Sequence, residues 1–414
     1  MKYKFSKYCR KITNGNKVVL ANRQTGQWIR ISREVYDILC LGINNNFSID
    51  ELELNLYDDE DRRYIRELYK KLYWGGLICE EIEKIIPPNK LASIEITHKC
   101  NLRCIHCCIN AGGEVEDDDI PTQKMIDILD KVIDWDPRSI MLSGGEPMIR
   151  KDFIEILTYL KSRYNGEITV STNGTLINEE NVKALVNCAY QIDISLDGVN
   201  EKTCSIVRGP GVFNKVIKSV QLLQSTGFKK ITLSMTIGEK NECQEKAFVE
   251  LNSSLGTTPI IRLFSSVGRG EKNYPLFFSS GLEKVYIPKD YLSENYNKVT
   301  PACSCSAGRQ EIFITHNGDI YPCPAFMKSE YKLANIFDID KISQLNDYSN
   351  KDIKPYEILM KINPATYIKC KNCKVNLFCW TCPGEIEKIR DNKKAFEDRC
   401  EKIKPVLYRR VWES

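Results

Sequence analysis

The chain has 414 residues, 42% hydrophobic and 28% charged, a globular mixture that excludes fibrous and intrinsically disordered classes. Its 59 basic and 55 acidic residues leave a net charge of +4, too small to indicate binding to nucleic acid or to an anionic membrane. No stretch approaches the roughly 20 apolar residues of a membrane span, and the first ten residues contain no signal-peptide core. We therefore expect a cytoplasmic protein of two or three domains.

The front of the chain, residues 1–86, predicts a small module. A hairpin over 17–21 and 27–31 precedes two helices that Ser32 and Ser48 can cap, a third helix over 60–74 and a returning strand over 77–79. Strands followed by three short helices and a strand are typical of a winged helix. Binding of DNA by this module is disfavoured, because no predicted helix presents a dense basic face.

Residues 91–270 alternate short apolar strands with amphipathic helices, the pattern of βαβ units around a parallel sheet. Such units predict an α/β fold, a partial (β/α)6 TIM barrel, with its chemistry in the loops after the strands. Residues 271–300 are predicted to be a connector, and 301–414 a separate metal-organised domain. The predicted strands cover 93–97, 139–142, 168–171, 192–196, 231–236 and 260–264.

Cysteine is the unusual residue type, with 18 copies against 3 histidines. Without a secretory signal the chain meets reducing conditions, so clustered cysteines indicate metal ligands rather than disulfides. Cys100, Cys104 and Cys107 form a CxxxCxxC triplet directly after the first barrel strand. Three thiolates on one loop suit three irons of a 4Fe-4S cube and leave the fourth iron open, whereas structural zinc needs a fourth protein ligand.

A Gly-Gly-Glu-Pro segment at 144–147 follows the second barrel strand, and together with the cysteine triplet it makes residues 91–270 resemble the radical S-adenosylmethionine (SAM) superfamily. The resemblance implies that the open iron binds SAM. It also implies that reductive cleavage releases a 5′-deoxyadenosyl radical, which removes hydrogen from an unactivated carbon. Residues 267–270 match a segment near the adenine, and no catalytic acid or base is identified.

The resemblance also assigns SAM contacts to the ends of the barrel strands. Hydroxyl, amide and carboxylate groups there suit a polar cofactor, although ordinary turn residues and a surface arginine remain the alternative interpretation. The implied cofactor-binding residues are Gly144, Gly145, Glu146, Pro147, Ser171, Asn173, Ser195, Asp197 and Arg208.

The cysteines after Pro301 closely resemble the SPASM extension of radical SAM peptide-modifying enzymes, except that two residues rather than three separate Cys379 and Cys382. The resemblance implies two auxiliary 4Fe-4S clusters, hence three clusters in all, and eight thiolates are what two fully ligated clusters require. A zinc ribbon over 370–382 is the alternative, and one of Cys303 and Cys305 need not be a ligand. By family position one cluster is held by Cys370, Cys373, Cys379 and Cys400, and the other by Cys303, Cys305, Cys323 and Cys382.

The front module resembles the recognition element of enzymes that mature ribosomally synthesised and post-translationally modified peptides (RiPPs). In that family a leader peptide adds a strand to the hairpin edge, which implies contacts at 17–21 and at helix 62–73. The expected activity is radical cross-linking of a ribosomally made precursor peptide, with a thioether as first choice and a carbon–carbon bond as second. An external electron donor such as flavodoxin or ferredoxin is also implied, with no nucleic acid and no membrane.

Two other functions stay open. One is oxidation of a protein Cys or Ser of the anaerobic sulfatase-maturase type, a group that resembles only residues 91 onward. The other is a zinc-dependent DNA-binding regulator, which zinc in place of iron would establish.

Overall fold

The computed structural model describes residues 2–80, 90–112, 119–279, 286–296, 298–345, 353–361, 366–379 and 382–413. The chain forms two compact units, one of Met1–Pro88, Lys289–Ser306 and Met360–Ser414, the other of Asn89–Pro288 and Ala307–Leu359. The predicted boundary at 86 and part of the predicted connector lie outside the described residues, and the domain boundaries stay predictions. No helix in the described ranges is long and apolar enough to cross a bilayer.

Strands and helices of the described residues are numbered in chain order. The strands are β1 (Tyr3–Phe5), β2 (Cys9–Asn14), β3 (Lys17–Asn22), β4 (Trp28–Ser32), β5 (Ile78–Glu80), β6 (Leu91–Glu95), β7 (Ser139–Ser143), β8 (Glu167–Thr172), β9 (Gln191–Ser195), β10 (Ile231–Ile237), β11 (Thr258–Leu263), β12 (Glu311–Ile314), β13 (Asp319–Tyr321) and β14 (Ala334–Asn335). The helices are α1 (Arg33–Asn44), α2 (Ile49–Glu53), α3 (Asp59–Trp74), α4 (Thr122–Asp134), α5 (Phe153–Arg163), α6 (Val182–Cys188), α7 (Glu201–Arg208), α8 (Val212–Ser225), α9 (Glu245–Leu255), α10 (Arg269–Lys272), α11 (Tyr274–Phe277), α12 (Lys289–Leu292), α13 (Lys354–Lys361), α14 (Ile368–Lys371), α15 (Asn376–Cys379), α16 (Pro383–Glu387) and α17 (Lys393–Tyr408).

The front module contains the predicted hairpin and three helices. Ser32 caps α1 by accepting a hydrogen bond from the Val35 amide at 3.1 Å, and Ser48 forms a capping box with Glu51 at the start of α2. β5 returns to pair antiparallel with β1. The sheet and helices enclose a core of Val18, Leu20, Ile31, Leu39, Leu52, Ile65, Leu68, Tyr69, Leu72, Leu77 and Ile78.

The prediction that strand 17–21 offers an edge to a leader peptide is wrong. β3 pairs antiparallel with β2 on one side and β4 on the other, and Val18 to Asn22 are buried. Its backbone donors and acceptors are already paired, so a peptide cannot add to it. Residues 9–14 escaped the sequence analysis because their charged and polar side chains lack a hydrophobic alternation. The outer strands of this described sheet are β2 and β4.

The front sheet contacts the C-terminal segments of its own unit. The Trp28 indole N–H donates to the carbonyl of Thr300 at 2.8 Å, and its ring meets Phe378 edge-on with centroids 5.1 Å apart. Lys17 donates to the carbonyl of Trp412 at 2.7 Å, and the Trp412 side chain is buried. Aromatic packing and hydrogen bonds therefore join these chain segments into one unit.

The second unit contains the predicted parallel sheet. β6 to β11 are neighbours in chain order and pair in parallel, which is the strand order of a partial TIM barrel. All six predicted strands are present. Alternate residues such as Ile94, Ile140 and Ile168 are buried between the sheet and its crossover helices. The α/β fold class is confirmed.

The sheet continues past β6 with strands from the C-terminal third of the chain. β12 pairs in parallel with β6, with Ile314 opposite Ile94, and β13 and β14 follow antiparallel. The sequence does not indicate this pairing, because these strands are short and pair with a distant segment. The carboxyl ends of β12 and β6 consequently lie side by side.

Candidate functional site

The cysteine triplet lies on the loop after β6, at the carboxyl edge of the parallel sheet. The turn after β7 packs directly against it: the amide of Gly145 donates to the Thr97 carbonyl at 2.9 Å, and that of Glu146 to the Lys99 carbonyl at 2.8 Å. A Cβ on Gly145 would stand 2.2 Å from the Lys99 carbonyl oxygen. Glycine is required here because two backbones approach too closely for any side chain.

The Glu146 side chain is buried and holds the end of β8. Its carboxylate accepts hydrogen bonds from the Asn173 amide at 2.7 Å, the Thr172 hydroxyl at 2.7 Å and the Met148 amide at 3.1 Å. Burial raises the pKa of Glu146, although these donors act in the opposite direction. Its carboxylate oxygens are thus committed to the protein, and the residue positions strand ends around the loop.

Asn173 connects the end of β8 to the first cysteine. Its side-chain amide donates to Asn101 at 2.8 Å and lies 4.0 Å from the Cys100 sulfur. Its carbonyl oxygen accepts from the Thr175 amide at 2.9 Å, which fixes the side chain. Of the other predicted contacts, Ser171 and Ser195 lie at the ends of β8 and β9, and Pro147 begins a 3₁₀ turn.

Asp197, Arg208 and His106 form a buried charge cluster beside the second cysteine. One oxygen of Asp197 lies 2.7 Å from His106 Nε2 and accepts from Arg208 Nε at 2.7 Å. The other oxygen accepts from the Thr236 amide at 2.5 Å. Burial alone would raise the pKa of Asp197, but the charge of Arg208 and the contact with His106 hold it well below its usual range.

Arg208 therefore has a protein partner in addition to its predicted role. Its Nη1 lies 3.6 Å from the Cys104 sulfur, so the guanidinium bridges the carboxylate of Asp197 and a thiol of the triplet. Contact between Arg208 and the carboxylate of SAM stays a prediction.

The segment after β11 holds the loop from the opposite side. The Arg269 amide donates to the Cys107 carbonyl at 3.0 Å, and its guanidinium Nε donates to the Cys104 carbonyl at 3.0 Å. Gly268 has φ +56°, and a Cβ there would stand 2.5 Å from the Cys107 carbonyl oxygen. The proximity of residues 267–270 to the adenine of SAM stays a prediction, whereas their contact with the cysteine loop is observed.

The protein environment of the triplet suits a metal centre that binds thiolates. Burial raises the pKa of Cys100 to about 11 and also raises that of Cys104. Buried thiols become metal-binding thiolates when a metal centre supplies the positive charge. The residues fit an iron–sulfur cluster with three protein ligands, since the three thiols lie on one loop and both Cys104 and Cys107 are close enough to Cys100 to contribute to its raised pKa.

Four of the C-terminal cysteines converge on one cavity of about 270 Å³. It lies between α14, α15 and the long helix α17. Arg399 donates from Nη1 to the Cys379 sulfur at 3.0 Å and from Nη2 to the Cys379 carbonyl at 2.6 Å. Four thiols without a histidine fit a fully ligated 4Fe-4S cluster. The cysteines that line it are Cys370, Cys373, Cys379 and Cys400.

The other predicted cluster ligands are placed less completely. Cys303, Cys305 and Cys382 belong to the same unit as the cavity, and the Cys303 amide donates to the Leu377 carbonyl at 2.7 Å. Cys323 follows β13 in the other unit. The assignment of these four cysteines to a second auxiliary cluster stays a prediction.

The sequence did not single out several residues that lie around the cysteines. His106 and Asn101 lie inside the cysteine motif itself, where only the spacing was used. Arg269 lies in the weakly matched segment after β11, and Arg399 immediately precedes Cys400. Adjacency to a ligand was the available signal, but adjacency alone does not say which side chain faces the site.

Comparison with known proteins agrees with this geometry. Residues 94–251 match the radical SAM superfamily, and residues 303–374 match SPASM, an iron-sulfur cluster-binding domain. Mycofactocin maturase MftC of Mycobacterium tuberculosis is 27% identical over 278 residues, 63% of this chain and 70% of the relative. The subtilosin biosynthesis protein AlbA of Bacillus subtilis is 27% identical over 259 residues, 59% of this chain and 57% of that protein.

A similar fold is also known from experiment. The crystal structure of Streptococcus suis SuiB bound to precursor peptide SuiA matches with a TM-score of 0.53 and 17% identity, over 91% of this chain and 94% of that one. At this identity the match concerns the fold.

Proposed function

This chain is a radical SAM enzyme with a SPASM iron–sulfur domain, and on that premise we propose that it matures a ribosomally made precursor peptide by forming an intramolecular cross-link. Because residues 303–374 match an iron–sulfur cluster-binding domain, we do not propose a zinc-dependent regulator. Its cofactors are SAM, the 4Fe-4S cluster of the radical SAM domain and the auxiliary clusters of the SPASM domain.

The front module carries the peptide part of the proposal. The structural match to SuiB covers 91% of the chain, so it must include part of residues 1–80. That SuiB structure contains a bound precursor peptide. The maturases MftC and AlbA are the sequence relatives that agree with this substrate class. We propose that the leader adds to an outer strand of the front sheet, β2 or β4, and contacts α3.

The cross-link proposed first is a thioether. Joining a cysteine sulfur to a carbon removes one hydrogen from each, and two electrons must leave the peptide. SAM and the clusters, when bound, supply the radical chemistry and the electron acceptor. The chain's own residues hold the loop in place. Arg208, paired with Asp197, contacts the Cys104 sulfur, and Arg269 donates to the carbonyls of Cys104 and Cys107. A carbon–carbon bond is proposed second. It removes two hydrogens as well, so the two cross-links cause the same change in peptide mass.

The test screens synthetic peptides translated from short open reading frames that neighbour the gene for this chain. Each is incubated anaerobically with reconstituted protein, SAM and a reductant, and the product is weighed by mass spectrometry. We expect formation of 5′-deoxyadenosine and a peptide lighter by two hydrogens. Alkylation distinguishes the bonds, since a thioether removes a cysteine from labelling and a carbon–carbon bond does not.

Two controls make the result decisive. The Cys100, Cys104 and Cys107 to Ala triple variant should form neither product. A peptide without its leader should react much more slowly, because the front module would no longer concentrate it at the enzyme. Cleavage of SAM without change in any neighbouring peptide, by protein with full iron content, would refute peptide maturation.

A further inference from the structure

A second polar cluster lies at the same sheet edge as the cysteine loop. Glu95 ends β6, His98 follows it, and His316 lies in the turn between β12 and β13. Because β6 and β12 are parallel neighbours with Ile94 opposite Ile314, their carboxyl ends bring the three side chains together. Two of the three histidines in the chain therefore meet at one carboxylate.

The cluster has the dimensions of a metal site. His98 Nδ1 lies 2.7 Å, and His316 Nδ1 3.5 Å, from the same oxygen of Glu95. All three ligand atoms lie within 4.8 Å of one another. A divalent ion forms bonds of roughly 2.0–2.2 Å to imidazole nitrogen and carboxylate oxygen. To make such bonds, the three ligand atoms would have to become more evenly spaced than they are here.

Burial and charge also suit a cation. The Glu95 side chain is 3% exposed, whereas those of His98 and His316 are 26% and 18% exposed, so the cluster has a buried anionic side and a side open to water. Two imidazoles and one carboxylate are a ligand set that first-row divalent ions accept, with further positions for water. Neither the radical SAM motif nor the SPASM cysteines use these side chains.

We propose that Glu95, His98 and His316 bind one divalent first-row transition ion, such as Mn²⁺, Fe²⁺ or Zn²⁺, separate from the iron–sulfur clusters. The nitrogen and oxygen ligands distinguish this site from the cysteine sites, which favour softer thiophilic metals. The inference does not depend on the identity of the peptide or on the bond formed.

The test uses Mn²⁺ as the probe, because it prefers nitrogen and oxygen ligands to thiolates. Reconstituted protein with oxidised clusters is first freed of loosely bound metal by dialysis. Mn²⁺ is then added anaerobically, and the EPR signal of the free ion is followed. We expect one bound Mn²⁺ per wild-type chain. His316→Gln should weaken binding by at least about 100-fold, since losing even an outer partner costs 10–100-fold.

The controls separate ligand loss from misfolding. Asn317→Ser changes the next residue of the same turn and should leave Mn²⁺ affinity unchanged. Iron content and circular dichroism of His316→Gln should equal those of wild type, and Glu95→Gln should weaken binding similarly. Absence of a bound Mn²⁺ in wild type, or equal affinity in wild type and His316→Gln, would overturn the proposal. Neither result would affect the proposed peptide maturation, which is assayed separately.

Discussion

The three-cysteine loop after β6 and the four-cysteine cavity beside α17 place similar thiols in different surroundings. The loop follows β6, and side chains reach its sulfurs or carbonyls from the turn after β8, from α7 and from the segment after β11. The cavity is lined by short helices and one face of α17, with Arg399 on the Cys379 sulfur. Contacts from several elements fix the first site, whereas the second is built within one C-terminal segment.

The difference matches the roles that we predict for the two sets of cysteines. Three protein ligands leave one iron for a cofactor, so the rest of the site must hold the loop in register with the substrate. A cluster with four protein ligands has no open iron, so its surroundings act mainly on its reduction potential. Changes at the loop should therefore affect SAM cleavage, and changes at the cavity should affect electron transfer.

The largest expected effect separates the two cysteine sets. Cys104→Ala should lower SAM cleavage by at least about 1,000-fold, because the sulfonium then has no electron source. Cys373→Ala should still release 5′-deoxyadenosine but form little cross-linked peptide. Both products are measured by liquid chromatography with mass detection. Equal loss of 5′-deoxyadenosine in both variants, at equal iron loading of the intact sites, would contradict the division of roles.

A second test shifts the loop without touching a thiol. Gly145→Ala would place a Cβ 2.2 Å from the Lys99 carbonyl oxygen, so the loop must move. We expect about a 100-fold loss of SAM cleavage, since displacements near 1 Å have effects of this size. Gly227→Ala is the matched control: its φ of +84° is strained, but nothing lies within 4 Å of the new Cβ. It should reduce thermal stability and leave SAM cleavage intact.

The third test removes a charge from the cluster beside Cys104. Asp197→Asn leaves Arg208 buried without its counter-ion, which should reduce the free energy of unfolding by about 3–5 kcal/mol. Asp193→Asn, within β9 and thus shortly before Asp197 in the chain, replaces a carboxylate that accepts from the Gln191 side-chain amide and the Thr232 hydroxyl, and should cost about 1 kcal/mol. Thermal unfolding of both variants measures the difference. Equal melting temperatures would mean that the ion pair contributes no stability.

The same ion pair predicts a direction for pH dependence. The folded-state pKa of Asp197 is lowered, so its contribution to stability is complete above about pH 5, beyond its unfolded pKa of about 3.9. The contribution is lost as pH falls through the folded-state value. The stability gap between wild type and Asp197→Asn should therefore shrink in acid and not at neutral pH.

The smallest expected effect concerns the cavity. Arg399→Met removes a hydrogen bond to the Cys379 sulfur and should lower the reduction potential of the cluster there by an amount on the order of tens of millivolts. Lys404→Met removes a positive charge from the same cavity without removing that hydrogen bond, and should shift the potential less. Redox titration followed by EPR compares them, and equal shifts would show that charge alone sets the potential.

Much of the barrel was predictable because its information is local. The apolar runs at 139–142, 168–171 and 231–236 each fix a buried parallel strand by their own composition, and the structure contains all of them. The front sheet was predicted less well. The strand over 17–21 was identified, but its polar neighbour over 9–14 was not, and the order of strands in the sheet decided which edge is open.

The sequence by itself indicated the family, the three candidate ligand cysteines of the loop and the positions of the barrel strands, because spacing and periodicity act within a few residues of the chain. The tertiary structure alone decided which side chains meet those cysteines. Asn173, Arg208 and Arg269 reach one loop because parallel strands end at one edge. Glu95 and His316 meet for the same reason, through the pairing of β6 with β12. Contacts between strand ends depend on the order of the strands in the sheet, and no local sequence pattern specifies that order.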